Sequence, residues 1–471
     1  MSALRALSLA LALAAAAGAA WARPDPPAAP PDTLRLSLDD AVQRALASGA
    51  EARVARASVG VAEGQVREAM AEALPQVTGD VVYDRKFSSI FQSLSSDTLF
   101  GPLFAHSSFA AVHGWTADLT ATQLLWSGGR VGAGLAAARA ARDWVRATRD
   151  ETLADFALQV RSAYLEAVYA RDVQRIAGEG LAQSRAHLEQ VKLLHDQGSR
   201  SEYDLLQAQV DAANAEPQVV SARNATEQST LLLKRLMNLP LSQPIVLTTA
   251  LAFEGGLVPV MDADPGDGAA RPAIRGADDL VQARRQAVRA EKAARWPKLS
   301  ASATVSQQAY PTDLWPTRRD FVSAVDGYLK LEWPLFQGFR TFGTVQRATS
   351  ELRQAEADRD RTLQSVSLEV EQARQEVQRT LATLVARRGT ADLARRTHHL
   401  ATVRWQSGLS TQLEVTDARL QLQTAEVNEV AAIKDYRLAL IRMERASNRP
   451  LALTPRSIED LSHDSSIDGV R

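Results

Sequence analysis

Trp126-Ser127-Gly128-Gly129-Arg130 recurs 210 residues downstream as Phe336-Gln337-Gly338-Phe339-Arg340, and reading outward from this junction decides the fold. On its C-terminal side each copy enters a proline-free stretch of 67 residues, Arg130 to Asp196 and Arg340 to Gln406. At a rise of 1.5 Å per residue this predicts two helices of about 100 Å, far beyond the ordinary globular length. Leu153, Phe156, Val160 and Ala163 step by 3 and 4, as do Leu363, Val366, Val370, Ala373 and Val377. That spacing is a coiled-coil seam. Each stretch stops at a glycine turn, Gln197-Gly198-Ser199-Arg200 or Ser407-Gly408-Leu409-Ser410. A shorter helix then returns, over 201–238 or 411–447, ending near Asn238-Leu239-Pro240-Leu241 or Asn448-Arg449-Pro450-Leu451.

On the N-terminal side of the junction the period changes to two. Trp115, Ala117, Leu119 and Ala121 alternate with Thr116, Asp118, Thr120 and Thr122; Val325, Gly327, Leu329, Leu331 and Trp333 alternate with Asp326, Tyr328, Lys330 and Glu332. Leu299, Ala301, Ala303 and Val305 do the same with the serines and threonine between them. Alternation over about ten residues marks strands with one apolar and one wet face. Strands are expected at about 75–87 and 113–126 in the first copy and at about 297–308 and 322–335 in the second. Each pair follows a helix of modest length that ends at Pro75 or Pro297, because a residue before proline is pushed toward extended geometry. Leu74-Pro75-Gln76 matches Trp296-Pro297-Lys298 at an offset of 222, so the first copy carries a 12-residue insertion between the two anchors. The chain therefore divides into a repeat at 36–247, a linker at 248–272 and a second repeat at 273–451, with a Pro-rich segment at 23–35 and a tail at 452–471. Two equivalent halves suit a pseudo-symmetric assembly unit better than a catalytic cleft.

Residues 1–22 have Arg5, an apolar run from Ala6 to Ala17 and Ala20-Trp21-Ala22, the pattern of a secretory signal peptide. The chain has no cysteine, so neither disulfides nor a lipidated N-terminal cysteine are available. A net charge of −1 without a basic tract argues against nucleic acid as a partner. The longest uncharged stretch, Thr98 to Ala117, contains Gly101, Pro102 and Gly114 and reads as a loop. A helical membrane span is thereby excluded, since it needs about 20 mainly apolar residues. A β-barrel remains.

Four strands are too few to close a barrel, for which about eight is the practical minimum. An open sheet in lipid leaves its edge groups unpaired. Several chains must share one barrel, and three would supply twelve strands and set the long helices side by side as a tube. Five of the eight tryptophans, Trp115, Trp126, Trp296, Trp315 and Trp333, lie in or beside the strands. Trp126, Trp296 and Trp333, with Phe336, sit at the strand ends nearest the helices, where an interfacial aromatic girdle belongs.

The doubled order of strand, strand, long helix, turn and helix resembles the TolC-type outer-membrane efflux proteins over about Leu36 to Leu451. The resemblance rests also on the Pro75 and Pro297 junctions and on the turns followed by Ser201-Glu202-Tyr203-Asp204-Leu205 and Thr411-Gln412-Leu413-Glu414-Val415. It implies an α+β membrane protein of the unlipidated branch, a homotrimer with a 12-stranded β-barrel in outer-membrane lipid of a Gram-negative bacterium and an α-helical coiled-coil tunnel in the periplasm. It implies an exit duct for a tripartite efflux or type I secretion system, with a periplasmic adaptor protein and an inner-membrane pump as partners. The tips Gly198, Ser199, Gly408, Leu409 and Ser410 would meet the adaptor. Pro217 departs from the repeat, which has Val427 at that place, and predicts a kink in the first return helix.

Asp204, Glu414 and Asp417 are the candidate periplasmic gate. Ser201 to Asp204 and Thr411 to Glu414 each fit a capping box, which accounts for two of these acids. Asp417 has no capping duty and lies one turn beyond Glu414 on the same face. In the resembled family acids at these two places form rings at a constriction, and three copies of Asp417 would concentrate negative charge there. Arg185, Lys192, Arg200, Arg404 and Arg419 are near enough to supply polar links. Ser127 to Gly134 looks superficially like a dinucleotide loop but lacks a regular G-x-G-x-x-G and a following βαβ unit, so it reads as a handover from strand to helix. The seven histidines offer no i, i+4 pair beside an acid and read as solvated helix faces; the five methionines do not cluster. No metal, cofactor or catalytic constellation is expected, and an enzyme is the weakest reading. The alternative, a periplasmic coiled-coil scaffold or chaperone, leaves the strands and their tryptophans without a purpose.

Overall fold

The computed structural model describes residues 33–87, 112–251, 257–259, 270–311, 314–449 and 453–455. The expected signal peptide, most of the Pro-rich segment and nearly all of the C-terminal tail lie outside the described residues, as does 98–111 of the uncharged loop. The rest of that loop is a correction: 113–117 belong to a strand, because Trp115 and Ala117 start the period-2 pattern that continues to Trp126.

The elements run β1 (Leu34–Leu36), α1 (Leu38–Ser48), α2 (Ala50–Ala71), β2 (Gln76–Arg85), β3 (His113–Trp126), α3 (Arg130–Asp196), α4 (Glu202–Leu236) and β4 (Ile245–Leu247). They continue β5 (Leu257–Pro259), α5 (Pro272–Ala293), β6 (Lys298–Ala309), β7 (Phe321–Glu332), α6 (Arg340–Gln406), α7 (Gln412–Ser447) and β8 (Leu453–Pro455). α3 and α6 each have 67 residues. α1 starts at Ser37, whose hydroxyl accepts from the Asp40 N–H while the Asp40 carboxylate accepts from the Ser37 N–H, a complete capping box. Helix α4 passes through Pro217 without interruption; the expected kink does not break it.

β2, β3, β6 and β7 form one antiparallel sheet in that order. The sheet hands over to the long helices through two successive left-handed residues, Gly128 and Gly129 in the first copy, Gly338 and Phe339 in the second. Arg130 N–H donates to the Ser127 carbonyl and Arg340 N–H to the Gln337 carbonyl, both at 3.1 Å, so the junction is built identically twice. Phe339, at φ 62°, carries a left-handed cost of about 1 kcal/mol that Gly129 avoids.

Each long helix pairs with its return helix as an antiparallel hairpin, α5 packs on both long helices, and α7 crosses onto α3. The seam read from the sequence is the core: Phe156, Val160, Val366, Val370 and Val377 are buried. It centres on Tyr164 in mid-α3, which has no exposed surface. Tyr164 Oη donates to the Leu36 carbonyl at 2.8 Å and accepts from the Thr249 N–H at 3.2 Å, fastening the parallel β1·β4 pair to the helical hairpins. Nearby, Arg271 and Arg445, both nearly buried, converge on Glu151 Oε1 at 2.9 and 2.6 Å. Arg271 also reaches Glu369 at 2.6 Å and Arg445 reaches Asp155 at 2.9 Å, so α3, α5, α6 and α7 share one charge network.

Candidate functional site

Two regions bear on function, the sheet and the helical tips about 100 Å away. The sheet has aromatic residues at both ends. At the end nearest the helices Trp126, Trp296, Trp333 and Phe336 are all exposed. Trp333 and Phe336 lie just beyond β7, and Phe336 packs edge-on against Phe339 at 5.7 Å. At the far end Trp115 stacks on Trp315 at 5.4 Å and meets Tyr83 at 4.9 Å, and its Nε1 donates to the Leu314 carbonyl at 2.9 Å. Between them Val81, Val325, Leu329 and Leu331 expose about seven-tenths of their surface. The polar positions bond within the sheet: Thr122 to Ser302 at 2.7 Å and Ser306 to Asp118 at 2.6 Å.

At the tips Gly198 and Gly408 take φ of 73° and 74°. In each turn the glycine N–H and the next N–H fold back on the helix, Ser199 to Leu194 and Leu409 to Arg404, both at 2.8 Å, the Schellman closure that favours glycine. A Cβ on either glycine would meet nothing within 4 Å among the described residues, so the turns face open space there. Ser201 and Asp204 form the expected reciprocal cap. Glu414 accepts from Ser410 Oγ at 2.8 Å and from Thr411, and the Ser410 bond leads in holding its carboxyl below the usual carboxylate range. Asp417 is exposed on α7 and has no hydrogen bond or ion pair among the described residues. The Asp204 carbonyl accepts from Gln412 Nε2 at 3.1 Å, so the starts of α4 and α7 lie side by side.

The hairpins are joined near the tips by a small core of Val191, Ala208, Trp405 and Val415. Trp405 is 4% exposed; the His187 ring lies 4.8 Å from it and the Arg200 guanidinium 5.1 Å. Sequence reasoning missed this cluster, and the reading of the histidines as solvated does not hold for His187. Burial pushes its imidazole below the ordinary value of 6.5, with the Arg419 charge adding to the effect. Of the basic residues named from sequence, Arg419 spans the hairpins to the Gly180 carbonyl at 3.5 Å, while Arg185 binds Glu216 and Arg404 its own turn at Leu409. Thr416 to Asp211, at 2.9 Å, adds a further link between hairpins. Among the described residues no group of three or more His, Asp or Glu is placed to hold a metal ion, and no helix is long and apolar enough to cross a membrane.

The outer membrane efflux protein family matches residues 41–239 and 269–449. No curated protein matches the chain by sequence. Among solved structures the chain is similar to a membrane protein from Pseudomonas aeruginosa at 19% identity and a TM-score of 0.72, covering 91% of this chain and 99% of that one. It is similar to the outer membrane protein VceC of Vibrio cholerae at 19% identity and a TM-score of 0.68, covering 88% and 96%. The open state of the Neisseria gonorrhoeae MtrE outer membrane channel gives 18%, 0.71, 88% and 89%.

Proposed function

Because the chain belongs to the outer membrane efflux protein family, we propose that three copies form the passive exit duct of a tripartite efflux or type I secretion system. Three four-stranded sheets supply the twelve strands of one barrel in the outer membrane, and the helical hairpins form a tunnel in the periplasm. The observation that carries this reading is a sheet with two open edges joined rigidly to helices of 67 residues. From Trp115 to Trp126 the strand covers about 36 Å, which a tilt of about 45° reduces to the roughly 25 Å of an outer-membrane apolar band. The open turns at Gly198 and Gly408 suit a periplasmic adaptor, and the adaptor links the duct to an inner-membrane pump that selects the cargo. Detergent-corrected light scattering of protein taken from the outer membrane should give three chains, and planar bilayers should show conductance without an energy source. Recovery of all the protein in the soluble periplasmic fraction would favour a coiled-coil scaffold.

A further inference from the structure

The internal repeat carries more than fold: it relates each strand contact to another. A shift of 222 takes β2 onto β6 and a shift of 210 takes β3 onto β7. Applied to the first hairpin, these shifts turn Gln76 opposite Thr122 into Lys298 opposite Glu332, which are partners in the second. All ten pairs of the first hairpin transform in this way. The remaining contact, β3 with β6, joins the second strand of one copy of the repeat to the first strand of the next. Its counterpart joins β7 to a β2, and these are the opposite edges of the sheet. That β2 must belong to another chain.

We propose that neighbouring copies pair β7 with β2 in the register dictated by the β3·β6 seam. Leu119 opposite Val305 becomes Leu329 opposite Tyr83 of the neighbouring copy; Ala121 opposite Ala303 becomes Leu331 opposite Val81; Thr116 opposite Gln308 becomes Asp326 opposite Lys86. The inference rests on the shared barrel and fixes how it closes. Three observations support it. Every residue of β2 is exposed and nearly every residue of β7, whereas β3 and β6 are mostly half-buried, so the two edges are the surfaces awaiting a partner. The register sets Leu329 and Leu331 against Tyr83 and Val81 on one face and Asp326 against Lys86 on the other, with Arg85 opposite the side-chain-free Gly327, and a slip of one residue would break these pairings. Glu332 falls opposite Asp80, but Lys298 across the strand and Lys330 at 3.2 Å flank that carboxylate.

The third observation is a gap. A Cβ built on Gly128 would fall 2.5 Å from that of Trp296, so the first junction is closed by the next strand of the same chain. At Gly338, the equivalent position, nothing lies within 4 Å. The same shift of 222 converts Trp296 into Leu74, so Leu74 of the neighbouring copy is the residue that closes the second junction.

The absence of cysteine makes the register directly testable. Leu331→Cys with Val81→Cys in the full chain, exported to the outer membrane and oxidised, should give covalent trimers on a non-reducing gel. Leu331→Cys with Val77→Cys, about 13 Å out of register, should react at least tenfold more slowly. Asp326→Cys with Lys86→Cys tests the opposite face. Should a double variant fail to assemble, co-expressed single-cysteine chains carrying Leu331→Cys and Val81→Cys answer the same question as covalent dimers. Faster reaction of the Val77 pair, or a native-size trimer in which neither register pair reacts, overturns the register alone. A wild-type chain that is monomeric in detergent overturns the barrel and the register together.

Discussion

The Trp405 indole of the second hairpin lies 4.8 Å from the His187 imidazole of the first, and both Trp405 Nε1 and His187 Nε2 are buried without a hydrogen-bond partner among the described residues. The two hairpins are thus keyed together near their tips by packing, with polar atoms left unsatisfied at the contact.

Trp405→Ala should loosen the tips without unfolding the molecule. Removing a buried indole costs about 3 kcal/mol, equivalent to roughly a hundredfold faster amide exchange if the tip opens as a local unit. Exchange should quicken around Val191 and Ala208 and stay unchanged around Tyr164. Equal protection in both proteins would show that the hairpins are held elsewhere.

Acidification should weaken the same contact. The folded imidazole of His187 has a pKa below 6.5 and the unfolded chain does not share its burial. Above 6.5 both states are neutral there; as pH falls below it the unfolded state takes up the proton first, so stability is lost until the folded pKa is passed. Tip exchange followed from pH 7.5 to 5 should rise in the wild type and flatten in His187→Gln. A slope unchanged by the substitution assigns the effect to other groups.

Asp417 and Glu414 separate into different roles. Asp417→Asn should lower cation selectivity of the trimer in planar bilayers and leave thermal stability unchanged, because among the described residues no group binds that exposed carboxylate. Glu414→Ala should instead lower the melting temperature, because its carboxylate closes the helix start with Ser410 and Thr411. Unaltered selectivity in Asp417→Asn would leave Asp417 a solvated acid, with the constriction elsewhere.

Gly408→Trp should abolish export while the trimer still reaches the outer membrane. The turn strains by about 1 kcal/mol at positive φ, too little to unfold the hairpin, and among the described residues nothing lies within 4 Å of a Cβ at that position, so the new side chain adds bulk to the open face of the turn. Export at the normal rate would place the adaptor contact away from this tip.

Glu151→Gln should cost about 3–5 kcal/mol, read as a lower melting temperature, because Arg271 and Arg445 would lose the anion they share in a nearly dry setting. A change below about 1 kcal/mol would mean that Asp155 and Glu369 suffice.

The two periods in the sequence made the architecture legible. Alternation in Leu299 to Val305 and in Val325 to Trp333 marked one hairpin, and the seam from Leu363 to Val377 marked a helix with one buried stripe. A stripe names the face but not the partner. For that reason Trp405 against His187, and Arg271 with Arg445 around Glu151, were beyond reach: each joins residues more than a hundred positions apart. Ser37 to Asp40 was a readable signal for α1, since the capping box stands in the sequence. Trp405 gave a weaker one, as a lone indole in a strongly polar part of α6.

The equal length of α3 and α6 acts as a ruler. Both follow a left-handed residue beside the sheet and lead to a left-handed glycine 69 positions beyond it, so in the proposed ring alternate hairpins end level with one another. Two turns removed from one helix alone would recess every other tooth of that rim by about 11 Å. The halves can differ freely in length only at the other end, and there the 12-residue insertion is found, between β2 and β3. The sheet end of the molecule is free to vary its loops; the tip end is bound to a common measure.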